Sequence, residues 1–382
     1  MPELLEDLRC KIDELDRTLI ALLSERLEVV NRVAEIKKQQ GLPLYCPERE
    51  ASMLAARQKE AMKQGISPQF INDILRRIIR ESYTRENNLG FTCTNPQANK
   101  IIIVGGYGKM GSIFSELFRL SHYEVINLGE MDWPFSSQQF KDASLVLLAV
   151  PIDKTLSIIS KLPPLPSTCV LADITSIKSK PIAEMLKIHP GPVVGLHPMF
   201  GPHIKNLAKQ VIIHCNGRNP GDYEWLLEQL RIWGAQLQPS TPEQHDKIMR
   251  YIQVLKHFTS FTYGVYLRSE EADIGELLDF SSPTYRFELA MVGRLLTQSP
   301  ELYAEIILSS PENIAMMRRY HEMFGFLLQE IEQKGSSSFI NYFEETKAFF
   351  DKYTSQLLKE SNQLLAHVND VKEGNSQDCS RA

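Results

Sequence analysis

The sequence has only six cysteines, at positions 10, 46, 93, 169, 215 and 379, none of them in a C-x-x-C pair. No histidine and cysteine lie together at metal-ligand spacing, so neither a zinc site nor a disulfide framework is expected. Scattered thiols of this kind fit a reducing, cytoplasmic setting. No apolar run approaches the roughly 20 residues that a bilayer crossing needs, which excludes a membrane span. The opening stretch MPELLEDLRCKIDELD is charged and amphipathic, unlike a signal peptide. There is no concentrated basic block, and the formal net charge is −5, so nucleic acid is excluded as the main partner. Internal repeats and low-complexity segments are also missing. What remains is a globular composition, 43% hydrophobic and 23% charged, on 382 residues, too long for one ordinary core.

Three regions follow one another. In the first, Leu5, Leu8, Ile12, Leu15, Leu19 and Leu22 recur at helical spacing, and Val29, Val33 and Ile36 resume the pattern. Gly41 and Pro43 should end this helix, expected over 2–40. Pro47 opens a second helix to about 64, and Ser67-Pro68 caps a third to about 87. Two short helices leave much of the long one's apolar stripe uncovered, so a homodimer is the natural completion. After a polar linker, strand-like runs at 100–104, 124–128, 145–150, 169–173, 193–196 and 210–215 alternate with helix-like segments, as in a parallel α/β sheet. From Thr241 the strands stop, and helical patterns occupy 242–268, 283–298, 300–308, 311–333 and 338–371. The expected organisation is an all-α domain at 1–92, a linker at 93–99, an α/β Rossmann-like domain at 100–240, an all-α domain at 241–372 and a tail at 373–382.

The first strand runs into Gly106-Tyr107-Gly108-Lys109-Met110-Gly111, a G-x-G-x-x-G turn opening a helix. One glycine makes the turn, the next lets backbone approach a pyrophosphate, and the third lets helix pack on strand. The amides at the helix start then face the phosphates. After the second strand, Glu130 or Asp132 is the candidate acid for the adenosine ribose. No arginine or lysine follows until Lys141, which favours NAD over NADP.

The stretch VVGLHPMFGP delivers His197 to the end of a buried strand, and Pro198, Gly201 and Pro202 prevent any regular continuation. Chemistry in such folds gathers at the carboxyl ends of the strands. A neutral imidazole there suits removal of a hydroxyl proton while hydride leaves the same carbon. DITSIKS ends a neighbouring strand and offers Ser176 as a hydroxyl partner and Lys178 as a cofactor contact. In the helical region, Arg286 and Arg294 stand about 80° apart around one helix. Arg294 lies among Leu289, Met291, Val292, Leu295 and Leu296, where a guanidinium aimed at a carboxylate is more reasonable than a solvated one. His257, in LKHFTSF, is a polar residue among apolar ones.

The seam of the long helix contains one guanidinium, Arg26, which must be paired or bind an anion. Lys37 follows three turns later on nearly the same face, and the two could bracket a small dianion. Arg9 faces elsewhere and could reach a partner subunit's cavity. Ser82 and Glu86 extend the apolar stripe of the third helix, and PERE adds Arg49 and Glu50 at the start of the second.

LEDLRCKIDELD, PEREASML, VGGYGKMG, GLHPMFGP, KQVIIHC and SSPTYRFELAMVGRL together resemble the bifunctional chorismate mutase–prephenate dehydrogenases of tyrosine biosynthesis, over essentially the whole chain. The resemblance implies a dimer-forming chorismate mutase domain of three helices, a Rossmann-like NAD domain and a helical domain for dimerisation and substrate. It implies chorismate bound by Arg26, Lys37 and the partner chain's Arg9, with Arg49, Glu50, Ser82 and Glu86 completing the pocket. It implies prephenate with its ring hydroxyl facing His197 and Ser176, and a carboxylate on Arg294. Arg286 and His257 would join that substrate site. The family is typically a homodimer inhibited by tyrosine. Cys46 stands where related mutases carry an aspartate, and Glu86 where some carry a glutamine. Glu86 is therefore expected to work protonated, donating to the substrate's ether oxygen. The alternatives are an arogenate-type dehydrogenase of the same fold and a non-catalytic dinucleotide or metabolite sensor.

Overall fold

The computed structural model describes residues 2–98 and 100–370, which divide into two units between Asp246 and Lys247. The tail expected at 373–382, with Cys379, lies outside the described residues.

A leucine- and isoleucine-rich 3–4 pattern, uninterrupted by glycine or proline after Pro2, makes α1 (Pro2–Gln40) one helix of 39 residues. It is roughly 58 Å long at 1.5 Å per residue. Lys37 and Lys38 in its last turn complement the helix dipole, and Gly41, at φ +64°, ends it. α2 (Pro47–Lys63) starts on its proline, and α3 (Pro68–Asn88) is capped by Ser67 Oγ, which accepts the Phe70 N–H at 3.5 Å. α3 buries Ile79, Ser82, Tyr83 and Glu86, a face that mixes packing with polar groups.

Seven strands form one sheet in the order β2-β1-β3-β4-β5-β6-β7. They are β1 (Lys100–Val104), β2 (Glu124–Leu128), β3 (Leu145–Leu148), β4 (Val170–Asp173), β5 (Val193–Pro198), β6 (Val211–Arg218) and β7 (Gln236–Ser240). The strands β1, β3 and β4 are almost wholly buried apolar runs, as a sheet covered on both faces requires. All pairings are parallel except β5 with β6, which is antiparallel. The sequence pattern predicts a parallel sheet throughout. The departure follows from the connection after Pro198, which carries no helix and so returns the chain as a hairpin rather than a crossover. The pattern also conceals β7: QLQPS is polar and mostly exposed, with Pro239 tolerated on an edge strand. β1 is followed by α4 (Lys109–Leu120), whose N-cap is Gly108.

The second unit is helical. The single helix predicted over 242–268 is instead interrupted: Pro242–Met249 is followed by a π-helical stretch, Arg250–Leu255, and then Lys256–Ser269. A π turn takes in an extra residue, which re-aims the face that follows it. The short helix Ile274–Asp279, capped by Asp273, was not expected from the pattern. Helices Pro283–Leu296, Pro300–Leu308, Pro311–Lys334 and Ser336–Asp370 lie close to their predicted spans.

Candidate active sites

The glycine turn is built as a cradle. A Cβ at Gly111 would lie 2.3 Å from the Gly105 carbonyl oxygen, and one at Gly106 would lie 2.5 Å from the Asn127 side chain. The contact at Gly111 is with backbone, which no rotamer change relieves, so only glycine fits there. Strand order reverses at β1, with β2 on one side and β3 on the other, which is where such sheets bind dinucleotides. The residues present therefore fit a pyrophosphate over the start of α4, beside Gly106, Tyr107, Gly108, Lys109, Met110 and Gly111. At the end of β2, Asp132 Oδ2 accepts the Gly129 N–H at 2.7 Å, and the exposed Glu130 pairs with Lys154 at 2.7 Å. Lys154 holds the Glu130 carboxyl below its ordinary range. This cation comes from another element, so reading the residues next to β2 could not reveal it.

His197 ends β5, at the same edge of the sheet as the glycine turn. Between β1 and β5 lie three strand spacings, roughly 14 Å, comparable to the reach of an extended dinucleotide. His197 Nδ1 lies 2.7 Å from His245 Nε2, and His245 Nδ1 lies 2.8 Å from Asp246 Oδ1. Asp246 also accepts the backbone N–H groups of Lys178 and Ser179, at 2.9 and 3.0 Å. Burial pushes the Asp246 carboxyl up, but these hydrogen bonds outweigh it and bring it down to about 2. Burial first, then the neighbouring His245 and Lys178, hold His197 well below the ordinary histidine range, so the ring is neutral. His197 is only 2% exposed, a tighter enclosure than a substrate-facing group leads one to expect.

Lys178 is not placed where the sequence reading puts it. Its side chain is completely buried, donating to Asp173 Oδ2 and, at 2.8 Å, to the Leu196 carbonyl. A charge spent beneath the sheet end in this way does not reach a cofactor. It also explains Gly195, where a Cβ would lie 2.9 Å from Lys178 Cδ. Ser176, half-buried, sits on the same turn after β4.

In the helical domain, α1, α2 and α3 enclose a cavity of about 330 Å³ whose lining includes Arg26, Lys37, Arg49, Glu50, Ser82 and Glu86. Arg26 Nη1 donates to Ser82 Oγ at 2.9 Å, and Lys37 Nζ to Glu86 Oε2 at 2.8 Å. Burial raises the Glu86 carboxyl above its ordinary range, against the opposing pull of Lys37 and Arg26. Tyr83 Oη donates to Glu50 Oε2 at 2.7 Å, and Lys209 pairs with Glu50 Oε1. Arg9 is exposed on α1 beside Glu6, at 3.7 Å, away from this cavity within its own chain.

In the second unit, His257 packs edge-on against Tyr303, with centroids 4.7 Å apart, and burial pushes His257 down to about 4. The Arg294 charge acts on Tyr303. Arg294 is exposed, although Val292 and Leu295 beside it in the helix are buried. Arg286 instead lines a separate cavity of about 700 Å³. The sequence reading missed His245, Asp246, Tyr83, Lys209 and Tyr303. His245-Asp246 sits in a helix start where it reads as ordinary polar surface, and Tyr303 as part of an apolar stripe.

A glycine cradle at a switch point, with an oriented histidine at the same sheet edge, defines a dinucleotide-dependent oxidoreductase. A cationic helical pocket is joined to it on the same chain. Family models match accordingly: chorismate mutase type II over residues 8–87, the prephenate dehydrogenase nucleotide-binding domain over 125–216, and the prephenate dehydrogenase dimerization domain over 241–345. The T-protein of Enterobacter agglomerans is 47% identical over 363 residues, covering 95% of this chain and 97% of that protein. The T-protein of Haemophilus influenzae is 47% identical over 373 residues, covering 97% and 99%. The crystal structure of prephenate dehydrogenase from A. aeolicus with hydroxyphenyl propionate and NAD+ shares the fold, with a TM-score of 0.54 at 19% identity, over 66% of this chain and 98% of that one. The chain belongs to the T-protein family, the bifunctional enzymes of tyrosine biosynthesis. It is a chorismate mutase and an NAD-dependent prephenate dehydrogenase.

Proposed function

We propose that His197 is the general base of the oxidation and that the pocket of Arg26, Lys37, Arg49, Glu50, Ser82 and Glu86 carries the rearrangement. The observation that carries the first assignment is the line Asp246–His245–His197. Ionised Asp246 accepts a hydrogen bond from His245 Nδ1–H, so His245 turns its Nε2 lone pair toward His197. His197 therefore carries its own proton on Nδ1 and is basic at Nε2. That nitrogen takes the proton of prephenate's ring hydroxyl as the C–H bond on the same carbon breaks. Bound NAD supplies the two-electron oxidant. Loss of the ring carboxylate as CO2 then aromatises the product, so the protein needs only to orient, deprotonate and neutralise. Enclosure of His197 excludes water from the step, and substrate entry requires local opening around the ring.

Gly106, Gly108 and Gly111 seat the cofactor's phosphates. Glu130 is assigned to the ribose, because its carboxylate is held only by a side chain at the exposed surface, whereas Asp132 is tied to the backbone amide of Gly129. Ser176 is assigned to the same substrate hydroxyl as His197. In the second unit, the grouping of Arg294, His257 and Tyr303 suits a substrate carboxylate carried on a ring, and Arg286 is kept as a candidate substrate contact. In the mutase pocket no nucleophile is needed: Arg26 and Lys37 fold the dianionic substrate, and Glu86 faces its ether oxygen. The exposed apolar stripe of α1 supports a homodimer, in which the partner's Arg9 completes this pocket. Tyrosine inhibition rests on the family resemblance, and a cytoplasmic setting on the free thiols.

The test follows NADH formation from prephenate and from chorismate. His197→Asn should abolish NADH formation while chorismate is still consumed and NAD still binds. Near-normal NADH formation by this variant would remove the assignment.

A further inference from the structure

The connection between β5 and β6 starts beside His197 and ends on Glu50, a residue that lines the cavity of the helical domain. Its base is closed by the Met199 N–H, which donates to the Val211 carbonyl at 2.9 Å. Beyond that base, Leu207 is fully buried, and Asn206 Nδ2 reaches Thr84 Oγ1 of α3 at 3.4 Å. The last side chain before β6 that reaches the helical domain is Lys209. Its Nζ pairs with Glu50 Oε1 and lies 5.3 Å from the centre of the Tyr45 ring. Glu50 is thus gripped at both oxygens, by Tyr83 from its own domain and by Lys209 from the dinucleotide-binding domain.

Lys209 also has a left-handed backbone, at φ +67°, with its N–H donating to the Gly234 carbonyl at 3.1 Å. Glycine is the relaxed residue at such a position, and a lysine there is held against local preference. Its side chain therefore does something that glycine cannot. We propose that Lys209 is a positioning residue for the chorismate mutase reaction: it fixes the Glu50 carboxylate in the pocket from across the domain boundary. This rests on the assignment of Glu50 to the mutase pocket made above. Lys209 does not line the cavity, so it acts through Glu50 and not on the substrate.

The experiment uses the full chain, with mutase kinetics from chorismate and dehydrogenase kinetics from supplied prephenate. Lys209→Gly removes the cation while relaxing the backbone, so the strain relieved offsets part of the lost ion pair and the melting temperature should change little. Mutase kcat/KM should fall roughly tenfold, mainly through KM, because the nearly buried Glu50 loses the partner at one of its oxygens. Prephenate oxidation should be unchanged, and Lys209→Arg should recover most of the mutase loss. In a Glu50→Gln background, Lys209→Gly should cost nothing further, because its target is gone. Unchanged mutase kinetics in Lys209→Gly, or an equal additional loss in the Glu50→Gln background, overturns the inference. Full mutase activity in Glu50→Gln alone would instead overturn the pocket assignment beneath it.

Discussion

The polar residues proposed for the mutase reaction could be singled out in sequence because each lies on an apolar helix face. Arg26 stands in an apolar seam with Lys37 at whole turns beyond it, and Ser82 and Glu86 share a face; spacing makes each pair, and the packing of α1 on α3 joins them. The supports of His197 were not legible, since His245 lies 48 residues away and only the fold joins them. Glu86 gives the first prediction at this scale. Burial favours its neutral form, and Lys37 opposes that by pairing with the ionised form. In the proposed complex the substrate's carboxylates would compete for Lys37, which weakens that opposition and shifts Glu86 further toward its protonated form. Mutase activity should then fall as pH rises through the raised Glu86 value, and Glu86→Gln should flatten that fall; an unaltered pH profile in the variant refutes the role. Asp246 gives the second. A carboxyl lowered from the ordinary 3.8 to about 2 contributes stability that is present above pH 4 and lost as pH falls toward 2. The contribution is about 2 kcal/mol. Asp246→Asn should remove it at neutral pH, measured by urea unfolding. The same change should also lower dehydrogenase kcat by roughly a hundredfold or more, because His245 no longer has a fixed tautomer.

Among the elements, those with strong periodicity were read almost to their ends, and those shaped by tertiary context were not. α1 needs only its own apolar repeat and Gly41, and β1 only its buried run. β7 is visible only as a polar stretch because an edge strand takes its hydrogen bonds from a neighbour, β6, that it joins across a helix. The π stretch Arg250–Leu255 leaves no local signature, since its residues are compatible with an ordinary helix. The turn from β1 into α4 is the element on which cofactor binding depends, and it tolerates no added carbon. Gly111→Ala should place a methyl against the Gly105 carbonyl and push α4 away from the strand. NAD affinity, measured by calorimetric titration, should drop at least roughly tenfold for a backbone clash of this kind. Chorismate turnover should remain, because the mutase pocket lies on α1, α2 and α3. Undiminished NAD binding in Gly111→Ala would show that the phosphates lie elsewhere.

For the whole molecule, α1 states a problem that one chain does not solve. Leu8, Ile12, Leu15 and Leu19 are each more than half exposed, at 56%, 57%, 61% and 53%, along a single stripe. A second copy of the same stripe is the natural cover, and a two-fold pairing would carry each Arg9 toward the other chain's cavity. This arrangement can be tested by mixing two inactive proteins. Arg9→Ala and Arg26→Ala should each lose mutase activity while keeping the dehydrogenase. If Arg9 serves its partner's pocket, a mixed dimer gathers both lesions in one pocket and leaves the other intact. With random exchange, half the dimers are mixed and each has one working pocket in two, so about a quarter of the native mutase activity should return. If Arg9 serves its own chain's pocket, every pocket in the mixture keeps one lesion and none recovers. Co-unfolding and refolding the two variants at equal concentration, followed by a chorismate assay, separates the two outcomes.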